Sequence, residues 1–180
     1  MQKTLSKALN VLKIGGIILY PTDTIWGIGC DATNSEAISK VFDLKRRLES
    51  KALISLVANK KQLKEITGFI PNLDITSIPT TIIYPNIKGL STKLLANNGS
   101  AAIRIANDEF CKKLIIAFGK AIVSTSANIS GECSPKKFSE ISKEIKTNVD
   151  YIVNLRHNEL MTTPSSILMI NEDDSVTKIR

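Results

Sequence analysis

The sequence has very little histidine and cysteine. Its 180 residues include one histidine, His157, and three cysteines, Cys30, Cys111 and Cys133. One imidazole excludes any site that needs two, and it makes a Ser-His-Asp triad a strained interpretation. Three widely spaced cysteines form neither a disulfide framework nor a zinc knuckle. We therefore predict three buried thiols, a reduced compartment and no resident metal site.

Long apolar runs and aromatic residues are also scarce. No apolar run approaches the roughly 20 residues that span a bilayer. Residues 1–16 carry charge at amphipathic spacing, where a signal peptide would have an unbroken apolar stretch. Aromatic residues make up 5% of the chain, which leaves little material for stacking nucleic-acid bases. These features predict a cytoplasmic protein without a membrane segment.

Cations are the residues in excess. Lys and Arg number 24 and Asp and Glu 17, so the formal net charge is 24 − 17 = +7. The apolar fraction of 43% and the charged fraction of 23% are those of an ordinary globular protein. We predict a single domain over residues 1–180 that handles an anionic partner, such as a nucleotide, a nucleic acid or an acidic metabolite.

Hydrophobic periodicity predicts five helices and about eight strands. The predicted helices cover residues 5–12, 34–44, 60–67, 108–118 and 136–147. The predicted strands cover residues 17–20, 52–57, 80–84, 101–105, 121–125, 151–153, 166–170 and 176–179. This mixed order favours an α/β (α+β) fold with a twisted mixed β-sheet and helices packed on it.

Two polar segments follow the predicted elements early in the chain. The first runs from Tyr20 to Asp31 and contains a proline, two threonines and two glycines, so its amides and hydroxyls suit a carboxylate or a phosphate. An ordinary turn is the alternative. The second contains Lys45 and Arg47, with Lys51 close behind. Cations at a helix end are expected on dipole grounds alone, but an unwound end would direct both Lys45 and Arg47 into one cleft.

Two further segments lie later in the chain. Period-two spacing places Ser124, Ser126 and Asn128 on one face of a strand, where they bind a polar ligand or form a solvated strand end. Arg104 stands between alanines and isoleucines and therefore needs a buried partner or a ligand. Ser165 leads into the strand near residue 166.

The four segments together resemble the threonylcarbamoyl-AMP synthase family, which is built on the YrdC-like domain. The chain has Y-P-T-D-T and G-I-G-C within Tyr20 to Cys30, K-x-R at Lys45 and Arg47, and S-T-S-A-N-I-S-G from Ser124 to Gly131. These motifs occur in the order typical of that family, and the resemblance covers essentially the whole chain. It is closest to the short bacterial form, which has no second linked domain.

The resemblance implies an ATP-dependent enzyme with a central basic cleft. It would convert L-threonine, bicarbonate or CO2, and ATP into threonylcarbamoyl-AMP and pyrophosphate. That product serves threonylcarbamoyl modification of adenosine 37 in tRNA and passes to partner proteins of the transfer complex. Mg²⁺ would be held mainly by the phosphates.

The family motifs also imply residue roles. Threonine would be bound by Thr22, Arg104, Ser126 and Ser165. ATP would be bound by Lys45, Arg47, Lys51, Asn128 and Arg180, with Ser100 a weaker candidate. Catalysis would rest on Lys45, Arg47, Ser126 and Asn128, because positioning and charge stabilisation dominate this chemistry.

Two other functions remain open at this point. The charge of +7 also suits a module that binds double-stranded RNA or tRNA, whose affinity would fall steeply with salt. The second alternative is an inactive regulatory paralogue of the same fold, although the intact K-x-R and S-A-N motifs argue against it.

Overall fold

The computed structural model describes residues 1–47, 53–171, 173 and 175–180. Its helices are α1 (Gln2–Lys13), α2 (Ser35–Leu44), α3 (Lys60–Thr67), α4 (Glu109–Phe118) and α5 (Lys143–Thr147). Its strands are β1 (Ile18–Tyr20), β2 (Gly27–Gly29), β3 (Ile54–Val57), β4 (Thr80–Tyr84), β5 (Ala101–Ile105), β6 (Ile122–Ser126), β7 (Tyr151–Ile152), β8 (Ser166–Ile170) and β9 (Val176–Lys178). Short 3₁₀ turns cover Thr92–Leu94 and Phe138–Glu140.

The strands form one mixed sheet in the order β7-β1-β2-β6-β3-β5-β4-β8-β9. The pairs β1–β7, β3–β5 and β4–β8 are parallel, and the other five neighbouring pairs are antiparallel. The predicted mixed sheet with packed helices is therefore confirmed.

Buried side chains form two apolar clusters that alternate along the strands. In β1, Leu19 belongs to one cluster, together with buried residues of α2. Its neighbours Ile18 and Tyr20 belong to the other, together with buried residues of α1 and α4. This period of two shows that helices cover both faces of the sheet.

Side-chain caps explain why several helix boundaries agree with the sequence. Asn34 accepts hydrogen bonds from the amides of Glu36 and Ala37 at the start of α2. Asp108 accepts one from the Cys111 amide at the start of α4. Gly68 ends α3 at φ +82°, a conformation that costs glycine little.

Three expectations were wrong. The helix predicted over 136–147 is a 3₁₀ turn followed by α5, because Ser142 caps a new helix by accepting from the Ile145 amide. Strand β2 lies in the segment expected to be a loop, since two glycines hide its pattern. Cys133 is exposed, whereas Cys30 and Cys111 are buried free thiols.

Two absences follow for the described part of the chain. None of its helices has the length and apolar character that a membrane crossing requires. Within the same ranges, no group of three or more His, Cys, Asp or Glu side chains is placed to hold a metal ion.

Candidate active site

A cavity of about 350 Å³ opens on one face of the sheet. Its wall includes Ala102 and Arg104 of β5, whereas Ala101, Ile103 and Ile105 point to the apolar cluster on the opposite face. The cavity is lined by Thr22, Thr24, Ile25, Gly27, Arg47, Leu53, Ile54, Ile83, Ala102, Arg104, Ser124, Thr125, Ser126, Ser134, Pro164, Ser165, Ile167, Ile179 and Arg180.

The loop between β1 and β2 supplies two buried threonine hydroxyls. Thr22 donates its hydroxyl to the Ile25 carbonyl at 2.8 Å and accepts the Thr24 and Ile25 amides at 3.1 and 3.3 Å. Because its only hydroxyl hydrogen is thus used, Thr24 is the donor in the 2.9 Å contact between the two hydroxyls. These bonds fix the Thr22 side chain at the cavity wall.

Arg104 is buried and paired with Asp23. Its Nη1 donates to Asp23 Oδ1, and its Nη2 donates to the Thr24 hydroxyl at 3.3 Å. The second Asp23 oxygen accepts the Asn107 amide at 3.1 Å. Arg104 Nε is buried without a hydrogen-bond partner. Arg104 lines the cavity, where a guanidinium suits an incoming carboxylate.

The expected cationic pair, Lys45 and Arg47, is divided by the structure. Lys45, only 1% exposed, directs Nζ to the carbonyls of Ser126 and Asn128, the second at 2.6 Å, and does not line the cavity. Arg47 does line it. Burial lowers the pKa of Lys45 from 10.5 to about 8, with a further lowering from Arg47 and an opposing effect from Glu132. Burial also lowers the pKa of Arg47.

The S-T-S-A-N segment contributes unequally. Ser124, Thr125 and Ser126 line the cavity at the end of β6. The Asn128 side-chain amide instead donates to the carbonyls of Ile129 and Glu132 at 2.9 and 2.8 Å. Asn128 therefore shapes the loop that receives Lys45, and its Oδ1 is buried without a partner.

The last strands complete the wall. Ser165 shares a 2.8 Å hydrogen bond with the hydroxyl of Thr81 in β4. Arg180 donates to the Ser165 carbonyl from Nε and Nη2, at 3.2 and 2.9 Å. Both residues line the cavity. The pairing of β8 with β4 places Ser165 there, and the pairing of β9 with β8 places Arg180.

The structure thus gathers most of the residues that the motifs implied. Seven of the implied residues that it describes are in the wall or directly behind it: Thr22, Lys45, Arg47, Arg104, Ser126, Ser165 and Arg180. Ser100 does not line the cavity, and its hydroxyl donates to Asn98 at 2.7 Å. Lys51 lies outside the described residues.

Sequence reasoning missed several residues at this site. Asp23 and Thr24 hold the Arg104 guanidinium, and an acidic residue between two threonines was the available signal. Ser134 also lines the cavity, but it stands in a loop where the sequence carries no pattern.

A comparison with known protein families assigns this chain to one of them. A family model for the Sua5, YciO and YrdC proteins, described as telomere recombination, matches residues 10–180. The chain belongs to this family, which confirms the resemblance drawn from its motifs.

Named relatives support the same assignment. The chain is 34% identical over 155 residues to a threonylcarbamoyl-AMP synthase from Psychromonas ingrahamii, covering 82% of this chain and 81% of that protein. It is 33% identical over 160 residues to the threonylcarbamoyl-AMP synthase of Pseudoalteromonas translucida, covering 84% and 86%.

Solved structures share the fold. A variant of P. abyssi Sua5 superimposes with a TM-score of 0.87 at 22% identity, covering 98% of this chain and 55% of that one. E. coli YciO gives a TM-score of 0.84 at 19% identity, covering 100% and 89%. P. abyssi Sua5 complexed with L-threonine gives 0.84 at 22% identity, and the chain spans 53% of that protein.

Proposed function

We propose that this chain is an enzyme that forms threonylcarbamoyl-AMP and pyrophosphate from L-threonine, bicarbonate or CO2, and ATP. The observation that carries the proposal is the convergence of Thr22, Arg104, Ser126 and Ser165 with Arg47 and Arg180 on one cavity. Relatives more than 30% identical over most of their length bear the name threonylcarbamoyl-AMP synthase. The cavity of about 350 Å³ is within the range of small-molecule sites.

The threonine subsite is assigned to the wall around Arg104. The Arg104 guanidinium would bind the substrate carboxylate, while Asp23 and Thr24 keep it in place. The hydroxyls of Ser126 and Ser165 line the same cavity and can bind the polar groups of the amino acid. The Thr22 hydroxyl is fully used within its own loop, so Thr22 contributes by fixing that loop at the cavity wall. A site with fixed polar partners rejects ligands that leave those partners unpaired.

The nucleotide subsite is assigned to the remaining wall. Arg47 and Arg180 supply positive charge for the phosphates. Ile83, Ile167 and Ile179 supply apolar surface that a base can cover. Lys45 acts from behind the wall, because its ammonium holds the Ser126 and Asn128 carbonyls and adds positive charge there.

The reaction needs no protein nucleophile. Threonine and CO2 give an N-carboxylate with release of one proton, and an oxygen of that carboxylate attacks the α-phosphorus of ATP. The bond from the α-phosphorus to the bridging oxygen breaks, and pyrophosphate leaves with its electron pair. Arginines around the phosphates stabilise the charge that develops on them. Mg²⁺ would enter with ATP and stay on its phosphates, and partner proteins would transfer the product to tRNA.

The test is threonine-dependent pyrophosphate release by the purified chain. With Mg²⁺ and ATP present, we expect release only when threonine and bicarbonate are both added. Ser126→Ala should reduce kcat/KM by about tenfold or more, whereas Ser39→Ala, which removes an α2 hydroxyl bonded to the Ser35 carbonyl, should not.

Other outcomes decide the alternatives. Release of pyrophosphate without threonine, or none with all substrates, would refute the proposal. Threonine binding without turnover would identify an inactive paralogue. Retention of tRNA on a filter at low salt, without turnover, would favour an RNA-binding module.

A further inference from the structure

Arg156 has a strained backbone in the loop that follows β7. Its φ is +55°, in the left-handed region, where a side chain with a Cβ is disfavoured. Among the described residues, only Arg46 and Asn86 share this property without being glycine. Strain of this kind persists where surrounding contacts hold it.

Three contacts of the Arg156 guanidinium hold this conformation. Nη1 donates to the Thr22 carbonyl and to Asp108 Oδ2, both at 2.9 Å. Nε donates to Glu159 Oε2 at 2.7 Å. Nη1 carries two hydrogens, so one is available for each of its acceptors. Arg156 itself does not line the cavity.

These contacts connect helix α4 to the loop that carries Thr22. Asp108, which accepts from Arg156, also caps α4 through the Cys111 amide at 2.8 Å. The Cys111 thiol donates to the Pro21 carbonyl at 3.5 Å. The Pro21 carbonyl is therefore held by Cys111 of α4, and the Thr22 carbonyl by Arg156, which is itself paired with the α4 cap Asp108. The Thr22 side chain lines the cavity.

We propose that Arg156 is a positioning residue that sets the affinity for the amino-acid substrate by fixing the Thr22 carbonyl from outside the cavity. The substrate is the one assigned under the proposed function, so this inference rests on it. Arg156 has no contact with Arg47 or Arg180 among its hydrogen bonds and ion pairs. Its loss therefore acts on the threonine subsite and leaves the nucleotide subsite in place.

Two substitutions separate positioning from stability. Arg156→Ala and Arg156→Gly lose the same three contacts, but glycine tolerates φ +55° without strain. We expect both to raise KM for threonine about tenfold, the effect of one charge-assisted hydrogen bond. KM for ATP should change less than about twofold in both. Tm should fall markedly further in Arg156→Ala than in Arg156→Gly, because only glycine adopts φ +55° without strain.

The matched control is Glu159→Gln, which removes another partner of the same guanidinium. Glu159 is 53% exposed, and an ion pair this accessible contributes little. Both KM values should stay within about twofold of the parent chain. Calorimetric titration of each protein with L-threonine alone supplies a readout that does not need turnover, and the Kd should follow KM.

Three results would overturn the positioning role. The first is an unchanged threonine affinity in both variants, and the second is an equal rise in KM for threonine and for ATP. The third is a loss of threonine affinity that is larger in Arg156→Ala than in Arg156→Gly, in proportion to the loss in Tm. If the parent chain binds threonine but releases no pyrophosphate, the proposed function fails, and the titration still tests Arg156. If the parent chain does not bind threonine, both fail.

Discussion

Asp23 and Arg104 form a buried ion pair whose side chains are 8% and 3% exposed. Asp23→Asn would leave the guanidinium buried without a counter-charge. Breaking such a pair from one side costs about 3–5 kcal/mol, so we expect a loss of this size in the free energy of unfolding. Urea denaturation of the variant and the parent chain measures it.

Asp31→Asn is the matched control for this prediction. Asp31 is also 8% exposed, but its partner Lys120 is 50% exposed and can turn to water when the carboxylate is lost. We expect the Asp31 variant to lose about 1–2 kcal/mol, which includes its bonds to Thr33. Equal losses in the two variants would show that burial of the cation does not matter.

The lowered pKa of Lys45 predicts that activity falls at alkaline pH. Its pKa is about 8 in the folded chain, below the usual 10.5, so its charge is lost as pH rises through about 8. We expect kcat/KM for ATP to fall about tenfold per pH unit above that value. Stability changes in the opposite direction: between about pH 8 and 10.5 the unfolded chain keeps the proton that the native chain has lost, so this group's contribution rises with pH.

Lys45→Met tests that assignment. The variant has no ammonium at this position, so its lower activity should be flat between about pH 7 and about pH 9.5. The same alkaline fall in the variant would assign the limit to another group.

Residue types were easier to predict than residue contacts. The motifs identified Lys45 and Asn128, but the structure turns the Lys45 ammonium to backbone carbonyls and the Asn128 amide into its own loop. Every residue has a carbonyl, so a carbonyl acceptor leaves no mark in the sequence. Arg104 was different, because an arginine in an apolar strand needs a partner, and Asp23 is that partner.

At the scale of elements, boundaries marked by caps were predictable, and β2 was not. A strand of sequence Gly-Ile-Gly has neither the alternation nor the β-branched content that signals a strand. Its glycines are required by neighbouring strands. A Cβ on Gly29 would lie 2.6 Å from the Val123 carbonyl oxygen and 2.7 Å from Tyr20 Cε1. The site depends on this close approach, since β2 joins the Thr22 loop to β6.

Gly29→Ala and Gly27→Ala should therefore differ. The first forces a backbone shift in a closely packed sheet, and we expect it to cost about 3 kcal/mol of unfolding free energy. In the second, the added Cβ lies 3.2 Å from Ser124 Oγ, which can yield, so about 1 kcal/mol or less is expected. Because Gly27 lines the cavity, its variant should lose substrate affinity more than stability. Urea denaturation and KM values check both, and equal stability losses would contradict the packing argument.

At the scale of the whole molecule, one sheet carries both apolar clusters. The accessible surface is 9180 Å², close to the roughly 8,600 Å² expected of a folded 19.7 kDa chain. The prediction of a single domain over residues 1–180 has a direct test. We expect one calorimetric transition with equal calorimetric and van't Hoff enthalpies. Two transitions, or a calorimetric enthalpy well above the van't Hoff enthalpy, would show that the chain unfolds as separate units.

The pairing of β4 with β8 has a consequence for synthesis on the ribosome. β4 joins β5 soon after both emerge, but its other edge waits for β8, which begins at Ser166. At about 5–20 residues per second, the roughly 80 residues between β4 and β8 take about 4–16 s to be made. During that interval the nascent chain exposes the edge of Thr-Thr-Ile-Ile-Tyr, a β-prone sequence without charge. Polysomes that translate this message therefore hold neighbouring chains with the same unpaired edge, and rapid overexpression would favour their aggregation.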